Sequence, residues 1–446
     1  ACTPQNCAPA PPPPPVPPVK MPQIYAIKPP VLHKKPHFLC NTAYKPHKNP
    51  PPRQKFASTP PRPVVKAKIA LLVLELRFLA KYHSLSTKSQ TEHKFPILFI
   101  HKISSFHKKS LNLDQHFDIM KKNWFKRVDV SEDDIKEYDE SILEILLADR
   151  TTGNNILWGT DDYVKSKGAD FAHDKQIRID QITGENNGVI MPRVLKTKEA
   201  QKARSKTKAE VFTPAWICNA QNNLVDEAWF GYKNSFNKPN SSKKSPHEYT
   251  IAPLKKRDPE QKVKFPEGKK WQDYVKLNRM EIACGEAPYL VNRYDSDSEN
   301  VALRSSLKLR IGLLDRKMRV ICENASYKKE WLEQTKLAYQ HIYGFEWQGD
   351  NLLLARENLL LTLFDYYQFY FGDSKMPDKN FVREIAEIIS WNLWQMDGLT
   401  LQLINTPKQK YEPNALYEDT NKDFCKIMDW DKGEIIYFAE LVKDKH

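Results

Sequence analysis

The sequence has little of what usually cross-links, anchors or punctuates a chain. Its 7 cysteines are scattered without a Cys-x-x-Cys pair, which argues against a zinc site or a disulfide framework and fits a reducing, cytoplasmic setting. No apolar run reaches the length of a membrane span. The stretch from Ile69 to Ala80, "IALLVLELRFLA", carries Glu75 and Arg77, and "FPILFI" from Phe95 to Ile100 is shorter still. Ala1 is not followed by the charged-then-apolar pattern of a secretory signal. Glycine is scarce too, 14 in 446 residues, so a glycine inside a short turn between apolar segments calls for a backbone reason.

Acidic residues are missing from one end. None occurs before Glu75, and residues 1–119 hold roughly 18 Lys and Arg against 4 acids. The formal net charge of +14 therefore sits in that quarter, and the remainder is near neutral. Global charge is thus weak evidence that the folded part binds nucleic acid. About 20 of the 32 prolines fall before residue 64. "PAPPPPPVPPVK" favours an extended polyproline conformation, and nothing around it has the apolar periodicity of a core. We expect residues 1–119 to be disordered or foreign to the natural product, with a basic binding arm for nucleic acid or an SH3-like partner as the functional alternative.

From Met120 the composition becomes that of a folded chain. Ser131 followed by acids and then apolar residues at helical spacing predicts a capped helix. "DKQIRIDQIT" alternates like a strand. A lysine-rich run carries Lys196, Lys198, Lys202, Arg204, Lys206 and Lys208, a pattern that is usually a solvated face but can touch phosphates. Thr213 and Pro214 read as the N-cap and first position of a helix. Residues 231–270 read as a polar insertion. Beyond it, helices alternate with short strands, which predicts an α/β sheet. The division expected is an accessory region at 120–208 and a domain at 209–446.

Three predicted strand ends carry the chemistry. "MEIACGEAPYL" (280–290) puts Glu281 before a small-residue turn and reads as a strand passing into a helix, with Pro288 starting that helix. "YGFEWQGD" ends a strand at Glu346 and opens a long apolar helix after Gln348 to Asp350. A third apolar run ends near Asp397. In a doubly wound sheet, successive strand C-termini line the edge where ligands bind. A nucleoside needs close backbone approach, a carboxylate for the ribose hydroxyls and a polar group at the base edge. Each acid alone is more often a cap or a solvated side chain.

Together with "AEVFTPAWICNAQNN" and "NLWQMDGL", these segments resemble the consecutive S-adenosylmethionine motifs of adenine-specific (N6) DNA methyltransferases, of the restriction–modification type called "restriction endonuclease subunit M". The resemblance covers about Met120 to the C-terminus, most firmly 209–400. It implies a Rossmann-like S-adenosylmethionine-dependent methyltransferase fold with a helical N-terminal extension. It also implies S-adenosyl-L-methionine as cofactor, no metal, double-stranded DNA as partner and a restriction or specificity subunit alongside. Carried over by position, Phe212, Thr213 and Pro214 would hold the methionine end. Glu281 would sit near its amino group, with Cys284, Gly285 and Ala287 as the turn around it. Glu346 would take the ribose hydroxyls, Trp347 would cover the adenine and Asp397 would receive its amine.

The chain departs from that family in three places. Ile282 and Ala287 stand where Pro and a second Gly are usual. The family's catalytic tetrapeptide, Asn or Asp followed by two prolines and an aromatic, stacks on a flipped base. Here Asn405-Thr406-Pro407-Lys408 offers Asn405 and Pro407 but no aromatic. No separate target-recognition segment follows. A metal-dependent nuclease reading rests only on Glu260-x-Lys262 near Asp258, in a loop-like region without a flanking apolar strand.

Overall fold

The computed structural model describes residues 125–129, 131–208, 210, 213–239, 249–251, 262–294, 307, 310–372, 375–412 and 418–442. The proline-rich segment, Phe212, Asp258 and Glu260 lie outside these residues. The described chain mixes helix and sheet. Its centre is a three-stranded parallel sheet of β3 (Arg279–Ile282), β4 (Ile342–Glu346) and β5 (Leu393–Gln395), side by side in chain order. Two antiparallel pairs flank it in sequence, β1 (Asn237–Pro239) with β2 (Tyr249–Ile251) and β6 (Lys426–Asp429) with β7 (Glu434–Tyr437).

Parallel neighbours need crossovers, and helices supply them. Between β3 and β4 run α5 (Leu313–Asn324) and α6 (Lys328–Gln340). Between β4 and β5 run α7 (Gly349–Phe371) and α8 (Lys379–Asn392). The sequence of α7 is apolar nearly all round, as expected for a helix enclosed by its neighbours, and most of its residues are buried. On α8 the apolar residues Val382, Ile385, Ala386 and Ile389 recur at helical spacing and are buried, with Asp378 capping the first turn through Asn380 N. They pack with Ile142, Leu143 and Leu146 of α1 (Glu132–Leu147) in one core. Each buried Leu or Ile contributes about 1.5–3 kcal/mol. Ser131 caps α1 by accepting from Asp133 N, and the helix breaks at Asp139.

Arg356 on α7 shows how the layers are tied. It is fully buried and donates to the carbonyls of Leu146, Ala148, Ser390 and Leu393. These are orphan acceptors at the ends of α1 and α8, so one guanidinium closes two helices and the start of β5.

The structure corrects three local expectations. "DKQIRIDQIT" forms no strand. It makes a single bridge at Gln176 and then a one-turn helix, Ile179–Ile182, because Gln181 folds back onto Arg178 N. Thr213 does not cap its helix; Pro214 takes that place and α3 (Ala215–Phe230) follows without a side-chain cap. The turn after β3 does not enter a helix at Pro288. Its N–H groups at Tyr289 and Leu290 go to the Glu281 carboxylate, and its carbonyls there receive Leu313 N and Leu314 N of α5.

Among the described residues no helix is long and apolar enough to cross a membrane.

Candidate functional site

The C-terminal edge of the parallel sheet gathers the segments singled out in sequence. The register pairs Ile282 with Phe345 and Glu346 with Gln395, so β3, β4 and β5 end together. Beyond Ile282 the backbone takes left-handed conformations at Ala283 (φ 49°), Gly285 (φ 54°) and Ala287 (φ 63°). Only Gly285 adopts this without steric cost. Cys284 N donates to Phe345 O at 2.9 Å and Ala287 N to Cys284 O at 2.7 Å, which ties the turn to β4 and closes it on itself. Gly285 N donates to Glu346 Oε2 at 2.8 Å, and Gln348 N donates to Oε1 at 3.2 Å. Glu281 Oε2 takes Tyr289 N and Leu290 N, each at 3.2 Å.

Both carboxyls are buried, and burial is the first cause of their raised pKa values. For Glu281, whose pKa lies well above the usual carboxylate range, the neighbouring Glu346 adds to the rise. The backbone N–H donors pull the other way for both. Cys284 is buried beside them, and burial holds its thiol far above its ordinary value. A thiol in that state is no nucleophile.

The other segments reach the same edge. Tyr289 ties α3 to the turn: its hydroxyl donates to Gln221 Oε1, and Asn222 Nδ2 donates to its carbonyl at 3.0 Å. Met396 N donates to Glu346 O at 3.1 Å, and Asp397 follows directly. Asp397 is half-buried and its Oδ1 accepts Leu399 N at 2.8 Å. Trp347 keeps 39% of its surface exposed. The structure therefore sets the turn of Glu281, Cys284, Gly285 and Ala287 against Glu346, with Trp347 next in the chain and Asp397 just past the end of β5. Thr213 and Pro214 precede α3, which meets the turn at Tyr289, and Phe212 is not described. Asn405 lies in the loop beyond Asp397, with φ 62°, its amide directed to His173 O at 3.5 Å. Pro407 O accepts from the Gln402 side chain.

Sequence reasoning missed the residues that hold this edge in place. Gln395 donates to Leu157 O and Trp347 O and accepts from Leu157 N, which binds the 157–160 segment across the strand ends. Gly159 and Gly349 permit that approach. A Cβ on Gly159 would stand 2.6 Å from Trp347 O, and one on Gly349 would stand 1.9 Å from Leu157 O. Arg204, on α2 (Lys198–Lys208), is buried and donates to Asp162, Glu210, Gln348 and Asp350. It and Lys196 hold the Asp350 carboxyl down at about 2 against the effect of burial. One signal for Arg204 was present: it is the single arginine in a run of lysines, and arginine is the residue suited to buried, multidentate pairing.

Among the described residues no group of three or more His, Cys, Asp or Glu side chains is placed to hold a metal ion. No family model, curated protein or solved structure matches this chain.

Proposed function

We propose that the chain is an S-adenosylmethionine-binding, DNA adenine-N6 methyltransferase-like modification subunit of a bacterial restriction–modification system, on a Rossmann-like fold. The observation that carries this reading is the Gly285 N–H on the Glu346 carboxylate at 2.8 Å, which joins two segments 61 residues apart at the ends of adjacent parallel strands. The donor set fits the group. The Glu346 carboxylate has four lone-pair positions; Gly285 N and Gln348 N take one on each oxygen and Trp347 N also acts on it, which leaves an acceptor position for a ribose hydroxyl. Trp347 is exposed next to it and can cover an adenine ring. The Asp397 oxygen not used by Leu399 N can accept an exocyclic amine. Thr213 and Pro214, with Phe212 before them, would hold the methionine end, and the turn at Cys284, Gly285 and Ala287 would pack against it near Glu281.

When bound, the cofactor supplies a methyl group made electrophilic by its sulfonium. The chain's task is to orient that methyl and exclude water from it. A second reading has its own observation. The Asn405 amide is directed to His173 O and no aromatic follows it, so a partner would supply the base-stacking loop and this chain would hold cofactor or DNA. The test is binding of labelled S-adenosylmethionine by the purified chain, followed by methyl transfer with duplex DNA. Binding with transfer supports the first reading, binding without transfer the second, and no binding sinks both. Glu346→Gln should weaken binding tenfold or more, the order expected when hydrogen bonds to a charged acceptor worth about 1.5–3 kcal/mol are lost.

A further inference from the structure

The lysine run of α2 is two-faced. Arg204 turns inward and fixes the helix to the body of the protein through Asp162, Glu210, Gln348 and Asp350. Lys198, Lys202 and Lys206 turn outward and are exposed. Four residues apart, they lie along one side of the helix about 6 Å from one to the next. Glu199 is the only acid on α2, and among the described residues no carboxylate lies within ion-pair distance of Lys202 or Lys206. Like charges at this spacing destabilise a helix, and a polyanion lying along Lys202 and Lys206 would relieve that repulsion.

The same lysines form one wall of a cavity of about 420 Å³, lined by Arg193, Lys198, Gln201, Lys202, Ser205 and Lys206. Its position is not arbitrary. Arg193 N donates to Glu286 Oε1 at 2.6 Å, inside the glycine turn, and Arg204 Nη2 donates to Gln348 Oε1 at 2.8 Å, one residue past Trp347. The basic groove is thus tied to both loops of the candidate site.

We propose that this groove seats the sugar–phosphate backbone of duplex DNA, with Lys198, Lys202 and Lys206 as phosphate contacts. The span from Lys198 to Lys206, about 12 Å, covers three to four phosphates of one strand at about 3.4 Å each. The choice of DNA as the polyanion rests on the methyltransferase reading; the basic geometry does not.

The test uses the full chain and a 30-base-pair duplex of random sequence, with affinity followed by fluorescence anisotropy from about 50 to 300 mM salt. Each phosphate contact adds about 0.9 to the slope of log affinity against log salt. The triple variant K198Q/K202Q/K206Q should therefore lower the slope by about 2.7. A control triple, K233Q/K329Q/K432Q, on exposed lysines elsewhere should leave it unchanged. All three proteins carry the same N-terminal quarter, so the difference in slope between them reports the substituted lysines. An unchanged slope in the first variant, or the same lysine dependence shown only by single-stranded RNA or poly-glutamate, overturns the proposal. S-adenosylmethionine binding is measured on the same preparations: its absence with the slope difference intact sinks the methyltransferase reading alone, and a melting curve matching wild type shows the variants are folded.

Discussion

Removing the Arg204 guanidinium is the sharpest structural perturbation available near the candidate site. Arg204 is 4% exposed and sits among Asp162, Glu210, Gln348 and Asp350, the last fully buried. Arg204→Met preserves much of the volume and takes the closest cation from two buried carboxylates, leaving Asp350 with Lys196 and Tyr163 and Glu210 with Arg193 and Asn351. Breaking one partner out of a buried ion pair costs about 3–5 kcal/mol. The pH dependence is specific. In the wild type, Asp350 is held at about 2 against an ordinary 3.8, so its contribution, about 2 kcal/mol, is full above pH 4 and is lost as pH falls through 2. Without Arg204 the burial of Asp350 pushes its carboxyl upward instead. The variant's deficit should then shrink on going from pH 8 to pH 5, where Asp350 can take up a proton. Urea unfolding followed by circular dichroism at several pH values reads both quantities. A deficit under 1 kcal/mol, or one independent of pH, would refute the assignment of Arg204 as the anchor of α2.

Other outcomes follow from the packing. Gly349→Ala should cost at least about 2 kcal/mol, because its Cβ would meet Leu157 O at 1.9 Å and the neighbour is backbone; thermal unfolding checks this. Arg356→Met should destabilise by about 3 kcal/mol or more by leaving several buried carbonyls without donors, again read in urea. Glu132, buried at the start of α1, has its carboxyl pushed up to about 8, mainly by burial. An acid raised on folding stabilises fully below its ordinary pKa and loses that contribution as pH rises through the folded value. Glu132→Gln should therefore gain in melting temperature relative to wild type between pH 5 and pH 9, and a constant difference would remove the burial argument.

The parallel sheet was legible because its strands are short runs with an acid at or near the C-terminal end, Glu281, Glu346 and Asp397, separated by helices whose apolar residues recur at helical spacing. Ile342 to Glu346 followed by the apolar α7 is the clearest case. What escaped was the 157–160 segment laid across the strand ends. Its hold depends on Gln395, a polar side chain inside an apolar run, and on the two close glycine approaches, none of which has a periodicity to betray it. The misplaced strand at "DKQIRIDQIT" has the opposite cause: alternation was present, but Gln181 and Asp180 satisfy the local backbone and side chains more cheaply than a neighbouring strand could. In the glycine turn, residue types were readable and direction was not. Nothing in Pro288-Tyr289-Leu290 says that the N–H and C=O groups of Tyr289 and Leu290 pair with Glu281 and α5 rather than within a helix of their own.

The central claim is that Thr213, Gly285, Glu346 and Asp397 form one cofactor edge. Hydrogen–deuterium exchange with and without S-adenosylmethionine tests it most directly. The account predicts simultaneous added protection at residues 283–290, 346–350 and 396–399 and none in the β6–β7 hairpin. Protection confined to one of these segments, or found only elsewhere, would contradict it.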